Sequence, residues 1–307
     1  MAKVSAVINV IREEVPLLPR LLNSVVGLVD DIAVIDMTEG DENLEKVAAD
    51  YGANLYQHKI VPYVEMARNY GLSKAKGDWI LLLDPDEELT ASLVAKLKKI
   101  VANPPADYFR LPRKNIIFGK WIQHCRFWPD YNIRFFKRRH VIWSEIIHSV
   151  PETRGKGLDF EAKEEYAITH HNYGSINQYL VRMDRYTTAQ AAEIAKTKYK
   201  FIWMDLIRKP ASEFFSRYFA GEGYKDGLHG LAISLLQTFS ETLVYLKVWE
   251  KEKFLEQGVT PNEIAKEFGQ TQADLNWWIN DMLIKSSNLV ASLPLRVKRK
   301  ILNKKNG

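Results

Sequence analysis

The sequence predicts an α/β protein, a mixed and mainly parallel sheet flanked by helices, with a helical extension at its C-terminal side. Three observations carry this. Residues 4–101 alternate short apolar runs with helix-forming segments, residues 78–87 form an unalternating apolar run that ends in carboxylates, and helix formers take over from about residue 175. Repeated strand-helix units of this length build parallel sheets through right-handed crossovers. A strand without polar alternation suits a position covered on both faces.

Residues 4–11 read as the first strand, because the apolar run is too short for a signal peptide and soon meets Arg12. A helix follows, with Pro16 suited to its first turn. Strand 32–35 closes on Asp36, and helix 44–51 ends at Gly52. Another strand spans 54–58, and a helix over 64–74 leads into strand 79–83. Asn103-Pro104-Pro105 then breaks the alternation. Segments 108–112, 116–121, 132–137 and 141–143 are expected as shorter strands and loops rich in aromatics. Helices are expected over 176–195, 211–219 and 230–249, amphipathic and nowhere apolar enough to cross a membrane. The expected organisation is a sheet domain over 1–174, a helical extension over 175–284 and a basic tail over 285–307.

Composition narrows the class. At 46% hydrophobic and 26% charged, the 307 residues suit a folded protein and exclude a disordered chain. Cys125 is the only cysteine, so no internal disulfide can form, and a reducing, cytoplasmic compartment is expected. The net charge of +5 belongs to the tail. Lys285, Arg296, Lys298, Arg299, Lys300, Lys304 and Lys305 lie in a stretch without acids, and leaving them out puts the remainder at −2. Such a tail suits a solvated end or a contact to anionic lipid or nucleic acid, and the apolar residues among its cations favour a membrane surface among the contacts.

The chemistry concentrates in Asp84-Pro85-Asp86-Glu87. Two carboxylates spaced one apart at a strand end suit a hard divalent cation, which in turn clamps a diphosphate. The plainer alternative is a strand-to-helix turn with acids at a helix N-terminus. Asp36, at the end of the second strand, suits a base or ribose, and Arg68 with Asn69 precedes the acidic strand by one helix. A turn acid and a surface salt bridge are the ordinary alternatives for these.

Taken in order, Ser5 to Glu14, Val34-Ile35-Asp36, the run from Arg68 to Trp79, Asp84-Pro85-Asp86-Glu87, Gly119-Lys120-Trp121-Ile122, Trp128-Pro129-Asp130, Arg134-Phe135-Phe136-Lys137 and Ile147-His148 resemble a known family. It is the family 2 glycosyltransferases with the GT-A fold, especially the lipopolysaccharide core β-glucosyltransferase-like subgroup. The resemblance implies that Glu13 and Asp36 hold the nucleoside and that Arg68 and Asp84 face the donor, with Val10, Arg12, Asn69 and Pro85 as further donor contacts. It implies a divalent cation, Mg or Mn, on Asp86 with Asp84 and His148. Two departures stand out: Arg12 replaces the usual Asn before the early Glu, and Ser149 replaces the usual Glu after the late His. An unactivated serine is a poor base, which leaves Glu145, Glu152, Asp130 and His148 as candidates for deprotonating the acceptor.

The implied reaction is inverting, metal-dependent transfer of a sugar, a hexose by expectation, from a nucleoside diphosphate sugar such as a UDP-sugar. The acceptor expected from the amphipathic helices and the cationic tail is a hydroxyl of a glycan or lipid-linked envelope molecule, met at the inner face of a membrane. The rival reading is a nucleic-acid-binding or protein-interaction module built on the helix-turn-helix-like segment 260–282 and the tail. Its second helix would carry Asp274 and Asp281 and no cation, so nucleic acid is not an expected partner.

Overall fold

The computed structural model describes residues 2–144, 150–288 and 292–296. They fall into two compact units, one within residues 1–123 and 127–175 and the other within 124–126 and 176–296. In the first unit, strands β1 (Val4–Val10), β2 (Asp31–Asp36), β3 (Asn54–Gln57) and β4 (Trp79–Leu83) alternate with helices α1 (Leu18–Val25), α2 (Glu42–Asp50) and α3 (Glu65–Lys74). After the two-residue β5 (Glu87–Glu88) and α4 (Ala91–Ala102) come β6 (Tyr108–Ile117), β7 (Lys120–Trp121), β8 (Asp130–Lys137), β9 (Val141–Ile142), β10 (Glu152–Thr153), β11 (Gly157–Asp159) and β12 (Ile168–Tyr173).

The main sheet runs β3-β2-β1-β4-β8-β6-β12-β5. The first four strands are parallel, β8 is antiparallel to both its neighbours, β12 is parallel to β6, and β5 is antiparallel to β12. Every residue of β1 and β4 is buried, which is why these strands lack polar alternation. One face packs Ile8, Leu81 and Leu83 against α1 and α4 residues such as Leu22, Leu93 and Leu97. The other packs Val7, Ile80 and Leu82 with Phe136 and Trp143. Trp79 stacks on Phe135 with ring centroids 4.8 Å apart, tying β4 to β8.

The chain order reverses at β1, which has β2 on one side and β4 on the other. The carboxyl ends of these strands therefore border the crevice where open α/β sheets bind ligands. Helix α3 reaches that crevice because of Gly71. A Cβ there would lie 2.9 Å from Val7 Cγ1 and 3.0 Å from Ile35 Cγ1, so only glycine lets α3 lie this close to β1 and β2.

Residues 116–121, within the expected shorter strands and loops, form a hairpin. Phe118 and Gly119 both have positive φ (51° and 79°), the pattern of a two-residue type I′ turn, and Ile117 pairs with Lys120. Pro112 sits inside β6, where one flank passes from β11, paired with 108–110, to β12, paired with 113–117. A missing N–H removes no ladder bond on that flank.

The second unit holds α5 (Ile176–Ala195), α6 (Asp205–Phe214), α7 (Leu228–Lys251) and α8 (Pro261–Ser286). Its core gathers Ala191, Phe201, Val244, Tyr245 and Val248. The helix expected over 211–219 is split between α6 and a π-helical turn, Phe215–Ala220. The segment 260–282 contains no helix-turn-helix, since α8 runs unbroken through it. Gly269 costs that helix only about 1 kcal/mol. Against this stand a capping box between Thr260 and Glu263 and a bidentate Arg208–Glu267 pair at 2.6 and 2.7 Å. No helix among the described residues is long and apolar enough to cross a membrane.

Candidate active site

Asp36 ends β2 at the crevice and is 2% exposed. Its Oδ1 accepts from Thr38 N (2.7 Å) and Thr38 Oγ1 (2.6 Å), and its Oδ2 accepts from Gln57 Nε2 (2.5 Å). These bonds fix the carboxylate at the strand end, combining the turn role and the placement expected from sequence. Arg12 straps the neighbouring loop, donating from Nη2 to the carbonyls of Thr38 (2.8 Å) and Gly40 (2.9 Å). Glu13 is exposed in the short helical turn Arg12–Leu17, whereas Val10 is buried at the end of β1.

The acidic turn is cinched by Glu87. Its Oε2 accepts from Asp84 N (2.9 Å), while its own N–H donates to Asp84 O (3.0 Å). Pro85 is buried within this turn. Asp84 pairs with Arg68 Nη2 at 3.3 Å and with Arg134 Nη2, and Arg134 also reaches Glu87 Oε1 at 2.7 Å. Arg113 lies 3.4 Å from Glu87 and 2.7 Å from Asp130. Three guanidiniums and three carboxylates thus balance in a largely buried cluster. Burial alone would raise the Asp84 carboxyl, but Arg134 and Arg68 outweigh it and hold it well below the ordinary carboxylate range. Asp130 is also lowered, because Arg113 overcomes its burial.

Asn69 clamps Trp143 in both directions. Its Nδ2 donates to Trp143 O at 2.7 Å, and its Oδ1 accepts from Trp143 N at 2.9 Å. The Arg68 guanidinium lies 5.3 Å from the centroid of that indole. Asn9, one residue beyond the Ile8–Leu83 pairing and so beside Asp84, is 2% exposed, with neither amide atom hydrogen-bonded among the described residues.

Asp86, 4% exposed, faces His170 on β12, whose Nε2 lies 3.4 Å from Asp86 Oδ1. On the other side of the ring, His170 Nδ1 is 2.6 Å from Asn115 Oδ1. The strand alternates here, so adjacent His171 turns the other way and meets Glu88 at 3.1 Å. Among the described residues no group of three or more His, Cys, Asp or Glu is arranged to hold a metal ion. Asp86 with His170 supplies two donors, and Asp84 is committed to arginines.

Of the residues expected from sequence, Asp84, Asp86, Arg68 and Asp130 come together in this cluster, with Asp36 at the neighbouring strand end. Glu152 is exposed on β10, and His148 and Glu145 lie outside the described residues. Sequence reasoning missed Glu87, Arg113, Asn115, Arg134 and His170 as members of the cluster. The signal available was parity: polar residues on the inward positions of strands otherwise packed with aromatics.

Residues 5–157 match the family described as Glycosyl transferase family 2. An uncharacterized glycosyltransferase of Rickettsia felis is 26% identical over 259 residues, covering 81% of this chain and 90% of the relative. A TPR repeat-containing protein of Synechococcus elongatus is 36% identical over 179 residues, 57% of this chain and 43% of that protein. Among solved structures, S. aureus TarS 1-349 aligns over 83% of this chain and 93% of its own at 11% identity, with a TM-score of 0.41.

Proposed function

We propose, from the premise that residues 5–157 are a glycosyl transferase family 2 domain and the chain a glycosyltransferase, that it moves a sugar from a nucleoside diphosphate sugar to an acceptor hydroxyl with divalent-cation help and inversion. The observation that carries the metal-dependent reading is the buried Asp86 carboxylate facing His170 at the rim of the sheet, beside Asp84. Two donors on one octahedral ion with bonds of about 2.1 Å stand roughly 3 Å apart, so the 3.4 Å separation suits a shared cation. Diphosphate oxygens and water complete such a site in enzymes that bind the metal with their substrate. An imidazole in the set favours Mn over Mg.

In this reading Asp86 and His170 would hold the ion, which would supply positive charge against the departing diphosphate. Arg68, locked by Asp84 and covered by Trp143, lines the donor side with fixed positive charge, and Asp36 with Gln57 orients the nucleoside. Asp130, held deprotonated by Arg113, is a weak base. Abstraction of the acceptor proton then falls to Glu145, His148 or Glu152.

A thermal-shift screen of nucleoside diphosphate sugars with and without Mn2+ tests this. A UDP-sugar at about 100 times its Kd adds roughly 2.7 kcal/mol to the folded state, or about 5–10 °C in Tm, and does so only with the cation. Equal shifts with EDTA present would remove the metal from the reading. For the acceptor, we favour a lipid-linked or envelope glycan met at an anionic membrane surface. Support comes from the acid-free basic end of the chain and from Leu228, Leu235 and Phe239 exposed along α7. Truncation after Ser292 is expected to weaken sedimentation with anionic vesicles, and undiminished sedimentation would withdraw the membrane from the proposal.

A further inference from the structure

We propose that Asn115 is a positioning residue: its side-chain carbonyl takes the Nδ1 proton of His170 and thereby turns the Nε2 lone pair of the ring toward the Asp86 carboxylate. The inference rests on the reading of Asp86 and His170 as cation ligands.

Register brings the two residues together, since His170 of β12 pairs directly with Asn115 of β6. Both are buried, at 7% and 1% exposure. The orientation of the Asn115 amide follows from its surroundings. Its Nδ2 donates to Phe127 O at 3.0 Å and to Asp130 Oδ2 at 3.1 Å, which uses both amide hydrogens. A reversed amide would set its oxygen against a carbonyl and a carboxylate, both acceptors. Oδ1 therefore faces His170 Nδ1 at 2.6 Å, and Nδ1 must carry the hydrogen.

Asp130 is itself held by Arg113, whose Nε donates at 2.9 Å. A fixed line of contacts thus runs from Arg113 through Asp130 and Asn115 to the ring. With Nδ1–H so placed, a neutral imidazole directs a lone pair at Asp86 Oδ1, 3.4 Å away. Two acceptors facing each other in a buried place repel unless a proton or a cation lies between them. Histidines that ligate metals characteristically donate their other ring N–H to such an acceptor, which fixes the tautomer and raises ligand basicity. Asn115 fills that role without touching substrate.

The test uses the full chain, wild type and Asn115→Leu, which keeps the branching at Cγ and removes both hydrogen-bonding functions. Ring 15N shifts of His170 in metal-free protein, identified by their loss in His170→Gln, are expected to report Nδ1–H in wild type and to lose that signature in Asn115→Leu. Mn2+ titration followed by electron paramagnetic resonance, with and without UDP, is expected to show binding weakened about 10–100-fold in the variant. A wild-type ring whose Nδ1 carries no hydrogen overturns the proposal, and that measurement needs no variant to fold. A folded Asn115→Leu chain that loses the tautomer yet binds Mn2+ as wild type does overturns it too. Failure of the underlying metal reading looks different: the wild-type chain then binds no Mn2+ with or without UDP, and the proposal falls with it.

Discussion

Asp86→Ala is expected to transfer sugar about two to three orders of magnitude more slowly than wild type, the usual loss when one preorganised electrostatic group is removed. The expectation follows from position. Asp86 is 4% exposed at the turn closed by the Asp84–Glu87 hydrogen bonds, with His170 3.4 Å from its carboxylate. Initial rates with a donor identified by thermal shift, measured at saturating Mn2+, give the number. The variant's far-ultraviolet circular dichroism and cooperative melting are expected to persist, because the turn is held by Glu87 and the backbone. Turnover within threefold of wild type in a folded variant would refute the role given to Asp86.

The second large effect concerns stability. Arg134→Met leaves Glu87, whose side chain is 0% exposed, and the partly buried Asp84 without their closest shared cation. Breaking a buried ion pair by removing one partner costs about 3–5 kcal/mol, because the surviving charge stays desolvated. At about 2–4 °C per kcal/mol for a unit of this size, the melting temperature drops by roughly 6–20 °C. The double variant Arg134→Met with Glu87→Gln is expected to recover part of the loss by neutralising the stranded charge. A single variant that melts with wild type would mean that water already reaches Glu87.

Much of the fold was legible because local signals agreed. The unalternating residues of β4 declared a strand covered on both faces, and Asp84 and Asp86 declared a strand end. The cluster around them was less legible because it is assembled by register. Glu87, Arg113, Asn115, Arg134 and His170 come from β5, β6, β8 and β12, and no sequence interval says that His170 will lie opposite both Glu87 and Asn115. The tandem His170-His171 could not be resolved by composition either, since only strand parity decides which ring turns toward Asp86. Segment 260–282 misled in the opposite direction. Gly269 has the look of a turn, but the cost of one helical glycine is smaller than what a capped, salt-bridged helix gains by continuing.

The absence of a side chain at residue 71 has a consequence for how substitutions in this protein are interpreted. Residue 71 has no side chain to carry charge or donate a hydrogen bond, yet the height of α3 above the sheet is set by it. A single added methyl would lift the helix and with it the guanidinium that meets Asp84. Residue 71 thus behaves as a spacer: a mutational survey would score it alongside the polar groups of the crevice, and the error would lie in looking for its chemistry instead of its thickness.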